Sequence, residues 1–158
     1  TYMINNIPNH IFRAYDIRGI VSLEIDDNIA FMIGKAFASY MIKNNSKKIS
    51  ISGDVRPSTS SLLQSLEEGL LESGIEVVNI GIIPTPLSYY STYNDDLKVN
   101  AAIQITGSHN PSNYNGFKIT FNQKPFYGDD IQLLYHIINK NDFVNGQGNL
   151  YNQNILYS

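Results

Sequence analysis

The stretch VNAAIQITGSHNPSNYNGFKITF, Val99 to Phe121, decides how this chain folds. Val99, Ala101, Ile103 and Ile105 alternate with Asn100, Ala102 and Gln104, the period of two that sends successive side chains to opposite faces of a strand. The period returns in Phe117, Ile119 and Phe121, with Lys118 and Thr120 directed the other way. Thr106 to Gly116 lies between them and is rich in turn formers. Asn110-Pro111 and Asn115-Gly116 are expected to send the chain back on itself, giving an antiparallel pair whose return strand begins at Phe117.

Upstream, Ile11 to Val21 mixes β-formers with charges and reads as an extended arm with a bend near Gly19. Asp26 or Asp27 caps a helix whose apolar positions Ile29, Met32, Ile33, Ala36, Phe37, Tyr40 and Met41 fall three and four apart. Lys48 to Ser52 is a short strand. Ser58 or Thr59 opens a second helix, with Leu62, Leu63, Leu66 and Leu70 on one side and Gly74 as its stop. Ile75 to Ile80 is the next strand, and Pro84 to Tyr93 reads as a short helix with proline in its first turn. Downstream, Asp129 with Gln132 resembles a capping box before Ile131, Leu134, Ile137 and Ile138. This alternation predicts an α/β class: a layered α/β/α domain with a mixed, mostly parallel sheet and one antiparallel strand.

Length suits one ordinary domain, and 42% apolar against 16% charged residues describes a globular, soluble chain with no run long enough to cross a bilayer. A net charge of −3 without a Lys/Arg cluster argues against nucleic acid as a partner. The absence of cysteine removes disulfides and thiolate metal sites, and His10 and His136 share no ligand spacing with His109. The start TYMINNIPNH lacks the order of a signal peptide, so a cytoplasmic setting is expected. Beginning at Thr1 and stopping inside an apolar stretch, the chain reads as part of something longer.

The chemistry concentrates in Thr106-Gly107-Ser108-His109-Asn110-Pro111, where a buried strand ends, the usual meeting place of ligand and sheet. Gly107 removes a side chain beside Ser108 and leaves room for a bulky group at its hydroxyl. The returning strand brings Lys118 near Ser108. A hydroxyl with a neighbouring lysine and histidine has the parts for phosphoryl transfer. Without a G-x-S-x-G elbow a serine hydrolase is disfavoured, and no glycine-rich loop ends in Gly-Lys-Ser or Gly-Lys-Thr as a nucleotide site would.

TGSHNPSNYNGFKI at Thr106 to Ile119 resembles the active-site serine loop of the alpha-D-phosphohexomutase family, and FRAYDIRG at Phe12 to Gly19 resembles its opening motif. Gly53 to Ser58 is similar to the family's G-x-D-x-R-x-S segment, with Ser52 where the family has glycine, and Pro84-Thr85-Pro86 matches its P-T-P turn. The opening is closer to bacterial phosphomannomutase/phosphoglucomutase, acting on glucose and mannose phosphates, than to the F-G-T-D-G-like start of phosphoglucosamine mutases.

The resemblance implies that Ser108 carries a phosphoryl group, passes it to a hexose 1- or 6-phosphate and recovers it through a bisphosphate. It also implies that a phosphate oxygen on Ser108 helps hold Mg2+. Lys118 matches a general base or electrostatic partner, Arg18 an arginine beside the phosphoserine, Tyr15 an aromatic near substrate, and His109 a group that shuttles a proton or orients phosphate. Asp54 and Arg56 are read as a structural pair that braces the loop. By the same resemblance, residues 1–10 are a lead-in, 11–150 the catalytic serine domain and 151–158 the start of a linker to a second domain. The family's D-x-D-x-D-R metal loop does not occur in these residues, so the piece is expected to be inactive alone, its partners being hexose phosphates and the remaining domains. The alternatives are a phosphoglucosamine mutase domain and a non-catalytic phosphosugar-binding module.

Overall fold

A computed structural model describes residues 8–14, 16–82, 99, 101–107, 111, 113–122 and 124–152. The expected helix at Pro84 to Tyr93 falls outside them, as do Tyr15, Ser108 and His109.

The described strands are β1 (Ile17–Ile20), β2 (Lys48–Gly53), β3 (Glu76–Ile82), β4 (Ala101–Ile105), β5 (Tyr114–Phe121), β6 (Lys124–Pro125) and β7 (Leu150–Asn152). They form one sheet in the order β1-β5-β4-β2-β3-β7, with β6 hairpinned onto β5. β4, β2, β3 and β7 pair in parallel, while β5 runs against both β4 and β1. The mixed sheet and single reversed strand agree with the sequence reading.

Helices α1 (Asp27–Lys43), α2 (Thr59–Glu72) and α3 (Asp129–Asn139) share one hydrophobic core with Ile49, Ile51, Ile103, Ile105, Phe117 and Ile119. Those strand residues alternate, so they occupy one face of the sheet. The other face carries Ser50, Ser52, Ala102, Gln104 and Thr120, all buried as well. Both faces are therefore shielded, as a layered α/β/α domain requires. The expected polar face of β4 is buried too: Gln104 is only 2% exposed.

Asp26 caps α1 as expected, its Oδ1 accepting from the Ile29 amide at 2.9 Å. Gly74, at φ +90°, ends α2 in the left-handed region that glycine alone enters cheaply. Three expectations need correction. The chain does not bend at Gly19, which lies inside β1; the turn comes at Ser22 to Glu24, with Ser22 at φ 73°. A Cβ at Gly19 would come 2.9 Å from Glu24 Cβ and 3.1 Å from Ile11, so close packing demands the glycine. No capping box forms at α3, because Gly128 is its N-cap and Gln132 Nε2 instead donates to the Phe12 carbonyl at 2.8 Å, tying the helix to the opening segment. The return strand starts at Tyr114 rather than Phe117, because Asn115 and Gly116 pair with Gly19 and Arg18 of β1.

Ser52 stands where the family that the chain resembles has glycine. It lies in β2 next to a register shift against β3 between Ile51 and Ser52, and it is 1% exposed.

Candidate active site

β4 delivers the chain to Thr106 at the carboxyl end of the parallel strands, and the Thr106 amide still donates to the Gly116 carbonyl at 2.9 Å. The leaving and returning stems of the Ser108 loop therefore start as neighbours. A turn closes the return, with the Tyr114 amide on the Pro111 carbonyl at 2.9 Å, and the Val21 amide holds the Asn113 carbonyl at 2.8 Å.

β5 sorts its side chains as expected. Phe117 and Ile119 enter the core, and Lys118, half-buried, lies on the opposite face across from Gln104. Arg18 pairs with Gly116 in the β1–β5 register, so Arg18 and Lys118 share that face as diagonal neighbours, a spacing of roughly 7–8 Å. Gly116 makes the approach possible, since a Cβ there would sit 2.3 Å from the Ile17 carbonyl oxygen and 3.3 Å from Arg18 Cβ. Arg18 is held in turn by Asp16, whose Oδ2 accepts from Nε at 3.1 Å and from Nη2 at 2.5 Å. The Asp16 side chain is 7% exposed and that of Arg18 25%, so the pair is part-buried, with the carboxylate end shielded. The sequence reading did not single out Asp16. Its signal was the spacing of two, which puts Asp16 and Arg18 on one side of an extended segment.

Behind the loop lies a second group. Asp54, just past β2, has its amide on the Ile105 carbonyl at 2.9 Å, and its Oδ1 accepts from the Arg56 amide at 3.2 Å and the Thr59 hydroxyl at 3.0 Å. Its Oδ2 accepts from the Gly107 amide at 3.2 Å and lies 3.4 Å from Arg56 Nε. Arg56 Nη1 donates to the Pro111 carbonyl at 2.6 Å and to the Tyr114 carbonyl at 3.2 Å. The bracing role expected for this pair is visible in these contacts. The reason for Gly107 changes, however: the space a side chain would take belongs to the Arg56 guanidinium, whose Cζ lies 2.1 Å from that Cβ position. Asn115, read as a turn former, is fully buried and donates to Ser58 Oγ at 2.9 Å and Thr59 Oγ1 at 3.1 Å, locking the returning stem to the start of α2.

Burial alone pushes the Asp54 carboxyl up and is the largest single influence. Hydrogen bonds from the Arg56 amide, the Thr106 and Thr59 hydroxyls and the Gly107 amide together outweigh it and hold Asp54 below the usual carboxylate range. A group depressed by folding stabilises the fold above its unfolded pKa and loses that contribution as pH falls through the folded value. The stability difference between this chain and Asp54→Asn is expected to be largest near neutrality and to shrink below about pH 4. Thermal melts from neutral to acid pH check this, and a difference that does not change with pH contradicts it.

The chain matches the family described as phosphoglucomutase/phosphomannomutase, alpha/beta/alpha domain I, over residues 9–145. It belongs to that family. The match runs through β1, the Asp54–Arg56 turn, the Ser108 loop and α3. A phosphoglucomutase of Neisseria meningitidis serogroup A is 38% identical over 152 residues, covering 95% of this chain and 33% of the relative. A phosphomannomutase/phosphoglucomutase of Pseudomonas syringae pv. tomato is 38% identical over 150 residues, 95% of this chain and 32% of the relative. A crystal structure of a phosphoglucomutase/phosphomannomutase family protein from Burkholderia thailandensis superposes with a TM-score of 0.90 at 35% identity, covering 95% of this chain and 34% of that one. The chain thus spans about a third of the length of the curated relatives it matches.

Among the described residues no group of three or more His, Asp or Glu side chains is disposed to hold a metal ion. They do not by themselves make a Mg2+ site. No described helix is long and apolar enough to cross a membrane.

Proposed function

We propose that this chain is the phosphoserine-bearing domain of a hexose-phosphate mutase acting on glucose and mannose phosphates. What supports the reading most is the juxtaposition, at the carboxyl end of β4, of the stems of the Ser108 loop with Arg18 and Lys118 on one face of the adjoining strands. Two cations on neighbouring strands suit a site that must gather a phosphorylated serine and a phosphosugar, both strongly anionic.

In the reaction, the bond between phosphorus and Ser108 Oγ breaks as phosphorus bonds to a free hydroxyl oxygen of the sugar monophosphate. The hydroxyl proton passes to a base, the role we assign to Lys118, while the leaving Ser108 Oγ takes a proton from His109, and the products are a hexose bisphosphate and a free serine hydroxyl. After the bisphosphate turns over in the site, its other phosphoryl group returns to Ser108 Oγ, whose proton passes back to His109, and the proton held by Lys118 goes to the sugar oxygen left behind. Serine ends as it began, and the sugar has exchanged a 1-phosphate for a 6-phosphate. Arg18, fixed by Asp16, stabilises the charge that accumulates on the transferring group. Tyr15 is assigned to the substrate rim and His109 to orienting phosphate or carrying a proton. Residues 11–150 form this domain, the setting is cytoplasmic, and further domains supply metal ligands and sugar contacts. The 158 residues alone are expected not to turn over substrate.

Intact mass of the protein after incubation with glucose 1,6-bisphosphate tests the reading. A gain of one phosphoryl group mapped to Ser108 is the expected result. Phosphate found only elsewhere, or no gain in a protein that interconverts hexose phosphates, refutes it.

A further inference from the structure

The Asp54–Arg56 pair sits outside the cationic face yet touches both stems of the loop. Asp54 takes the Gly107 amide on the leaving stem, and Arg56 takes the Pro111 and Tyr114 carbonyls on the returning one. Asp54 is itself fixed to the end of β4 and to Thr59, and Thr59 is fixed to Asn115. The side chains of Asp54 and Arg56 are 16% and 14% exposed, so water competes little for the contact between them, while the Arg56–Pro111 bond lies at the exposed edge. The two described stems of the loop are thus clipped by charged groups on one turn.

We propose that Asp54 and Arg56 are positioning residues for phosphoryl transfer, fixing the approach of the Ser108 oxygen to the sugar without touching substrate. This rests on the mutase reading above. It goes beyond bracing, because a brace that only holds the fold together would alter stability and leave the turnover of folded molecules unchanged. Transfer between two oxygens requires near-linear alignment, and misplacement by about 1 Å costs on the order of 100-fold in rate. Sugar binding needs no such alignment of the serine, so the loss falls on kcat and spares KM.

Gly107 supplies an independent handle. A methyl group there occupies the place of the guanidinium and must push Arg56 off its carbonyls. Gly107→Ala and Arg56→Met therefore remove the same clip from opposite sides, and their effects on kcat are expected not to add.

The test uses the complete gene product with hexose 1-phosphate as substrate and hexose 1,6-bisphosphate as activator. Arg56→Met and Gly107→Ala are each expected to lower kcat by about 30-fold or more with KM within about threefold, and the double variant to be no slower than the worse single one. Arg56→Lys, which can reach one carbonyl but not fork to two, should recover part of the loss. If Arg56→Met does not fold, Gly107→Ala and Arg56→Lys carry the same comparison. An active parent with kcat unchanged in folded variants, or with multiplicative losses in the double variant, overturns the positioning role and leaves the mutase reading standing. A parent that neither turns over hexose phosphates nor takes phosphate on Ser108 sinks the mutase reading, and this proposal with it.

Discussion

Alanine at position 108 is expected to lower hexose-phosphate interconversion by about 1,000-fold or more, the largest rate effect of any single substitution in this chain. On the proposed phosphoseryl route the side-chain oxygen of Ser108 is the atom to which phosphorus bonds, so removing it deletes the reaction path instead of weakening one contribution. Loss of a charge beside the transferring group is milder: Lys118→Met leaves the path open and costs on the order of 100-fold. The comparison between the two variants is the informative part. Steady-state rates with glucose 1-phosphate in the complete gene product give it, together with intact mass before and after exposure to the bisphosphate. Ser108→Ala should stay unphosphorylated, whereas Lys118→Met should still hold phosphate and release it slowly. Turnover within tenfold of the parent in Ser108→Ala would falsify a phosphoseryl route.

Arg18 and Lys118 reach the same face through different local rules, and this explains what the sequence disclosed. Lys118 stands between Phe117 and Ile119, and a period of two settles its direction before any partner strand is known. Arg18 was legible only by resemblance, because its place depends on β1 lying against β5, a contact between segments a hundred residues apart. Asn115 and Gly116 mark where local reading stops. The pair is a strong turn signal in isolation, yet β1 on one side and the start of α2 on the other give Asn115 buried partners and demand a bare Cα at Gly116. Tertiary contact overrode turn propensity there, lengthening β5 by three residues at its start and shortening the loop.

Gly107 and Gln132 show the same limit at single positions. Gly107 announces a close approach, but the group that fills the space is the Arg56 guanidinium, which comes from a turn some fifty positions upstream. Gln132 has the spacing of a capping box, and the competing acceptor, the Phe12 carbonyl, lies at the far end of the chain. In each case the residue type announced a hydrogen bond or a close approach, and only the fold named the partner. On the proposed reading, the groups that orient the loop come from the turn between β2 and α2, while those that meet charge come from β1 and β5. Mutations in the first set should move kcat through geometry, and those in the second through electrostatics.

Valine at Gly69 is expected to cost on the order of 3 kcal/mol of stability and to lower Tm by roughly 10 °C. Gly34 of α1 and Gly69 of α2 lie at the crossing of the two helices, where each backbone touches the other. A Cβ on Gly69 would fall 2.2 Å from the Phe31 carbonyl oxygen, and one on Gly34 would fall 2.5 Å from that of Leu66. Neither obstacle is a side chain that can rotate away. The helices must part by roughly an ångström, opening gaps in a core that packs Phe31, Ile33, Leu66 and Leu70 between them and the sheet. Helix propensity pulls the other way, favouring alanine over glycine by about 1 kcal/mol, so Gly69→Ala should lose less than Gly69→Val. Valine gains less from propensity and adds two methyl groups to the same contact. Thermal melts of the chain and its Ala and Val variants decide the matter: a Tm that rises with both would mean the two helices do not cross as closely as Gly34 and Gly69 allow.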